Sequence, residues 1–259
     1  MSPSTWTPSA VRAEHRVLES RPWRVVEAQH VVSTRKLVDT AAEQEVLEEL
    51  IERVKPPLPS DPELEGLHYL LTTPFRYPPL RHGSRFGTRA ERSLWYGADA
   101  LPTAFAEVAY YRLVFLEGSE AEIEPIRVDL SAFCAPVRTR RGVDLTRPPF
   151  GEHEAEISSP VSYETSQQLG RALRAADVEA FRYRSARDPE GGTNLGVFTP
   201  RAFTVRQPEE LQTWYCVATR SAVELSDRSL LFGRNAERSA FRFPRELFEV
   251  DGVLPTPAT

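Results

Sequence analysis

Apolar and polar positions divide the chain into recognisable elements. Val46, Leu47, Leu50, Ile51 and Val54 recur at helical spacing with acids on the remaining faces. Asp39 or Thr40 is a candidate N-cap, and Glu43 stands three residues after Thr40 as a capping box requires. The prolines of KPPLPSDPE end that helix and mark a boundary. Residues 1–62 therefore read as an N-terminal helical extension and 63–259 as the main domain, with C-terminal strands over 207–259. Within it, LHYLLTT (67–73) has the content of a short buried strand, and SLWYGA (93–98) of another. Pro102 opens a helix to about Leu116 that is apolar nearly all round. EIEPIRVDLS (122–131) alternates as a half-buried strand does, and 138–160 reads as a loop or insertion. TSQQLGRALRAAD (165–177) is amphipathic at helical period. VEAFRYRSARD, LGVFTP, QTWYCVAT, SAVELSD and SLLFG supply the later strands. Helices and strands do not alternate regularly enough for a doubly wound sheet, which leaves an α+β fold.

Composition narrows the function classes. A net charge of −5 argues against a general nucleic-acid binder. Cys134 and Cys216 are too few for a disulfide framework or a cysteine-rich metal site, so a reducing, cytoplasmic setting is expected. The opening residues lack an apolar leader core, and no apolar run reaches membrane-spanning length. His15, His30, His68, His82 and His153 show no metal-ligand spacing, so no metal is expected. There is neither a P-loop nor a G-x-G-x-x-G turn, and Ser185 lacks the G-x-S-x-G elbow.

The chemistry concentrates between Pro74 and Tyr111. Arg76, Arg81, Arg85, Arg89 and Arg92 face only Glu91 as a counter-charge. Such a local excess suits a phosphate or pyrophosphate, since the planar guanidinium binds oxyanions in bidentate fashion. The same arginines also fit one solvated helix face, although Gly83 and Gly87 weaken a helix there. Glu107 lies on the apolar helix with Thr103, Ala104 and Tyr111 as its same-face neighbours, so no cation offsets it locally. Either an arginine from elsewhere pairs with it, or it serves a ligand, as carboxylates do at a glycosidic bond. Of Trp95 and Tyr96, strand geometry sends one inward and one to the opposite face.

These residues, in order, carry a resemblance. G-S-R-F-G (83–87), L-W-Y-G-A (94–98), T-A-F-A-E-V (103–108), Y-R-S-A-R (183–187) and N-L-G-V-F (194–198) resemble the motifs of the RES domain family. That family is named for an arginine, a glutamate and a serine. The likeness runs from about 67 to 206, and Arg85, Tyr96 and Glu107 stand eleven residues apart in turn, as in the family. It implies an ADP-ribosyltransferase-like β core flanked by helices and an activity that consumes NAD⁺ by hydrolysis, phosphorolysis or ADP-ribosyl transfer. The family includes toxins of toxin–antitoxin pairs with Xre-like antitoxins. Such a partner, inorganic phosphate as co-substrate and a homodimer follow as expectations.

Carried onto this chain, the likeness makes Glu107, Arg85 and Ser185 the candidate catalytic residues. Arg76, Tyr77, Tyr96 and Asn194 become candidates for binding NAD⁺. The chain departs from the family in its length and in having Gly87 where the G-G-R-[FW]-N motif has asparagine.

Overall fold

The computed structural model describes residues 6–28, 40–54, 62–77, 79, 81–121, 125–227 and 240–256. Among these residues ten strands form one sheet: β1 (Arg16–Ser20), β2 (Trp23–Glu27), β3 (Trp95–Ala98), β4 (Ile126–Cys134), β5 (Val137–Asp144), β6 (Ala180–Arg184), β7 (Thr193–Val197), β8 (Glu209–Ala218), β9 (Ala222–Asp227) and β10 (Ala240–Pro244). They lie in the order β1-β5-β6-β7-β3-β2-β4-β8-β9-β10, antiparallel except for the β5–β6 pair. The helices are α1 (Pro8–Ala13), α2 (Ala41–Val54), α3 (Tyr69–Arg76), α4 (Leu101–Glu117), α5 (Glu154–Ile157) and α6 (Glu164–Ala175). The α+β class stands.

Two helices share one face of the sheet. Phe105, Ala109, Tyr110 and Leu113 of α4 pack on Leu130, Trp214, Cys216 and Leu225 of β4, β8 and β9. Leu169 and Leu173 of α6 pack with Phe86, Val143 and Phe181 over β5 and β6. On the other face, Leu71 and Phe75 of α3 close on Trp95, Phe133, Leu195 and Val197. The alternation expected at Trp95-Tyr96 is present. Trp95 joins the α3 side, and Tyr96 packs against the α6 cluster.

Three expectations are corrected. First, residues 16–27 are not part of a helical extension. They form β1 and β2, and β2 sits inside the sheet, pairing with β4 from Trp23↔Cys134 to Glu27↔Leu130. Among the described residues of 1–62 the short α1 and the longer α2 match the helical reading, and the capping box of α2 is formed: Glu43 N donates to Thr40 Oγ1 at 3.2 Å and Thr40 N donates to the Glu43 carboxylate at 3.0 Å. Second, 67–73 is mostly helix rather than strand. His68 caps α3 through Nδ1, which accepts from Leu70 N at 3.3 Å, and the helix runs through Pro74. Third, 138–160 is not a loop throughout, because 137–144 is β5, whose apolar positions Val137 and Val143 feed the core. SLLFG (229–233) lies outside the described residues.

Candidate active site

The cavity sits where the sheet opens between α4 and α6. β2 and β3 pair only at Trp23↔Ala98. Beyond that point Arg24 bridges the strands, donating from Nη1 to the Tyr96 carbonyl at 2.6 Å with its guanidinium over the Trp95 ring. Burial lowers its pKa to about 10. The resulting cavity, about 190 Å³, is lined by Arg85, Tyr96, Glu107, Tyr163, Tyr183 and Asn194 among others.

Glu107 reaches it from α4, whose apolar face packs on the sheet and so fixes the carboxylate's direction. Its Oε1 accepts two hydrogen bonds, from Ser185 Oγ at 2.7 Å and from Asn194 Nδ2 at 2.6 Å. Ser185 Oγ in turn accepts from the backbone N–H of Arg187 and of Asp188, both at 3.1 Å. A hydroxyl that receives two donors has its own proton free for one acceptor, and here that acceptor is Glu107. Among the described residues Glu107 makes no ion pair, so no arginine partner across the fold is found among them. Oε2 is left as the open acceptor on a half-buried carboxylate.

Arg85 comes from the turn 84–87, closed by reciprocal backbone bonds between Ser84 and Gly87. Gly83 (φ +71°) takes the left-handed backbone that starts this turn. Arg85 is only 8% exposed, stacks 4.7 Å from the Tyr163 ring, and donates from Nη1 to the Ser159 carbonyl at 2.8 Å. It has no carboxylate partner among the described residues. A buried guanidinium without a counter-ion is costly, and an entering anion relieves that cost. Tyr96 holds the same turn in place: its phenol oxygen accepts from Phe86 N at 3.0 Å and lies 2.9 Å from Ser84 Oγ. Burial pushes the Tyr96 pKa up to about 12, so the phenol stays neutral at ordinary pH. Gln167 of α6 adds two bonds, to the His82 and Ser84 carbonyls, both at 3.1 Å.

The structure thus gathers five expected residues, Arg85, Tyr96, Glu107, Ser185 and Asn194, on one site. It does not bring Arg76 and Tyr77 there: they lie at the end of α3 and do not line the cavity, and Tyr77 is 39% exposed. The arginine-rich stretch is neither a helix face nor a cluster. Arg81 and Arg89 are exposed on turns, Arg92 is exposed in the irregular stretch before β3, and Arg85 alone of the five lines the cavity. Sequence reading missed Tyr111, Tyr163 and Tyr183. Tyr111 and Tyr163 join hydroxyls at 3.1 Å over the cavity, and Tyr183 pairs in register with Asn194. Strand alternation signalled Tyr183, since Phe181 and Tyr183 share a face. Tyr163 stands in a loop and carried no signal.

Together these features define an α+β protein whose helix-borne carboxylate faces a buried arginine across an aromatic cavity. The chain belongs to the RES domain family, whose model matches residues 61–218. No curated protein matches it. Among solved structures, a chain of the M. tuberculosis MbcT–MbcA toxin–antitoxin complex aligns with a TM-score of 0.46 and 15% identity. That alignment covers 82% of this chain and 92% of the other.

Proposed function

We propose that this protein cleaves the nicotinamide–ribose bond of NAD⁺. The observation that carries the reading is Glu107, held at Oε1 by Ser185 and Asn194 with Oε2 open to a cavity that also holds Arg85, which has no carboxylate partner among the described residues. Family membership supports NAD⁺ as the substrate.

Nicotinamide leaves with the electron pair of the C1″–N bond and needs no proton, so the barrier lies in the positive charge building on the ribose. Glu107 Oε2 binds the ribose hydroxyls and stabilises that oxocarbenium-like charge. Arg85 takes the pyrophosphate, with Tyr163 stacked behind its guanidinium. Tyr96 acts through the turn it holds and as an aromatic wall. Ser185 and Asn194 orient the carboxylate. Water or inorganic phosphate then attacks C1″, and a proton lost from water passes to solvent. As in the toxins of this family, NAD⁺ loss would be checked by an Xre-like antitoxin.

Purified protein incubated with NAD⁺, with and without inorganic phosphate, tests the reading. Free nicotinamide with ADP-ribose indicates hydrolysis, and a 1″-phosphorylated product indicates phosphorolysis. Labelled protein indicates transfer to a side chain. Glu107→Gln is expected to slow nicotinamide release by about 10²–10³ while NAD⁺ still binds. Glu107→Gln at the parental rate would sink the assignment, and absence of nicotinamide release from the parent would leave only a nucleotide-binding module.

A further inference from the structure

We infer that Thr103 and Asp188 are positioning residues for Glu107: they form a pin that locks the Ser185 loop to α4 one turn before the carboxylate. The inference rests on the NAD⁺-cleaving reading for its kinetic consequence, but its geometry stands separately.

Thr103 and Glu107 are four residues apart on α4 and so lie on one face, one turn apart. Each bonds the same loop. Glu107 Oε1 accepts from Ser185 Oγ at 2.7 Å, and Thr103 Oγ1 donates to Asp188 Oδ2 at 2.6 Å. The circuit closes inside the loop, because Asp188 N donates to Ser185 Oγ at 3.1 Å. A single bond between helix and loop leaves a pivot. Two bonds about 6 Å apart along the axis fix both the distance and the rotation of the loop. Ser185 can then point its proton at Glu107 in only one way.

The rest of the loop is built around the Asp188 carboxylate. Oδ1 accepts from Glu190 N at 3.0 Å, and Oδ2 accepts from Gly192 N at 3.2 Å as well as from Thr103. Gly192 is the third part of the device. A Cβ there would overlap Thr103 Oγ1 and Asp188 Oδ2 and stand 3.0 Å from the Thr103 methyl. Only glycine leaves room for the hydroxyl and carboxylate to meet. Thr103 is 1% exposed, so water does not compete for the bond.

Thr103→Val keeps the shape of the side chain and removes the donor, and Thr103→Ser keeps the donor. Two measurements are made on each full-length protein. One is steady-state NAD⁺ cleavage. The other is backbone amide exchange of Arg187 and Asp188, whose N–H groups end on Ser185 Oγ. For Thr103→Val we expect kcat to fall about tenfold or more with KM changed by less than about twofold, because misaligned groups lose rate rather than binding. The two amides should exchange about tenfold faster. Thr103→Ser should restore both. Parental kcat in Thr103→Val, or amide protection unchanged in it, overturns the pin. So does a rise in KM at constant kcat. A parental protein that leaves NAD⁺ intact refutes the cleavage reading instead, and the amide exchange then decides the pin alone.

Discussion

Gly170 offers the sharpest check on how the arginine turn is held. It lies mid-helix in α6, where alanine ordinarily adds about 1 kcal/mol of helix stability. Propensity alone therefore predicts that Gly170→Ala stabilises the protein. The packing predicts the reverse. A Cβ at 170 would stand 2.8 Å from the carbonyl carbon of Phe86 and closer still to its oxygen. Ordinary contact begins near 3.4 Å, so the turn must retreat by at least about 0.6 Å. Phe86 is fully buried against Phe181 and Tyr183, with ring centroids at 4.6 and 4.8 Å, and has no free space to take up the shift. Overpacking of this kind costs about 1–3 kcal/mol, which outweighs or cancels the helical gain. For a chain of this size a net loss of up to about 2 kcal/mol lowers Tm by up to roughly 8 °C. Arg85 precedes Phe86 directly, so NAD⁺ affinity should weaken about tenfold for a displacement approaching 1 Å. Thermal unfolding and calorimetric NAD⁺ titration report the two effects. A Gly170→Ala protein with raised Tm and parental affinity would show that the turn is not seated on α6 as described.

Asn194→Asp should replace a donor by a carboxylate at a site 2.6 Å from Glu107, and the like charges should cut NAD⁺ turnover at least about 100-fold at neutral pH. Parental turnover in that variant would refute the donor role of Asn194. Gln167→Leu removes two bonds from the arginine turn and should weaken NAD⁺ binding with little change in the rate at saturation; a kinetic comparison checks it. Stability should fall between about pH 10 and 12. Tyr96 and Tyr110 are raised to about 12 by burial, so the folded state keeps protons there that the unfolded state has released. Their contribution is complete below pH 10 and lost as pH rises toward 12. Denaturant titrations at pH 9 and 11 should show a smaller loss in Tyr96→Phe than in the parent.

Local patterns carried the elements whose surroundings agree with them. The apolar run after Pro102 became α4 because a helix covered by sheet on one side and loops on the other tolerates apolar residues almost all round. Glu107 was legible for the same reason, as the charge that broke that run. Ser185 and Asn194 were legible only as parts of ordered motifs, since neither residue type in a strand or turn signals a carboxylate partner 78 or 87 positions away. Arg76 and Tyr77 misled because charge density in the chain is not charge density in space: α3 carries them to the opposite face from Tyr96. The short run Trp23–Glu27 failed for another reason. Four partly covered residues followed by an exposed one show no clean alternation, so nothing local marked them as central.

That central position of β2 has a bearing on how the protein is made. Its main partner, β4, begins 99 positions after it ends, at Ile126. A ribosome adding about 5–20 residues per second takes roughly 5–20 s to supply that partner. During that interval the strand leaves the ribosome with its backbone groups unpaired. Both halves of the sheet are joined through it, so neither half can close early around a finished cavity. The geometry of the cavity arises only after β4 has emerged to meet a strand made about 100 residues earlier.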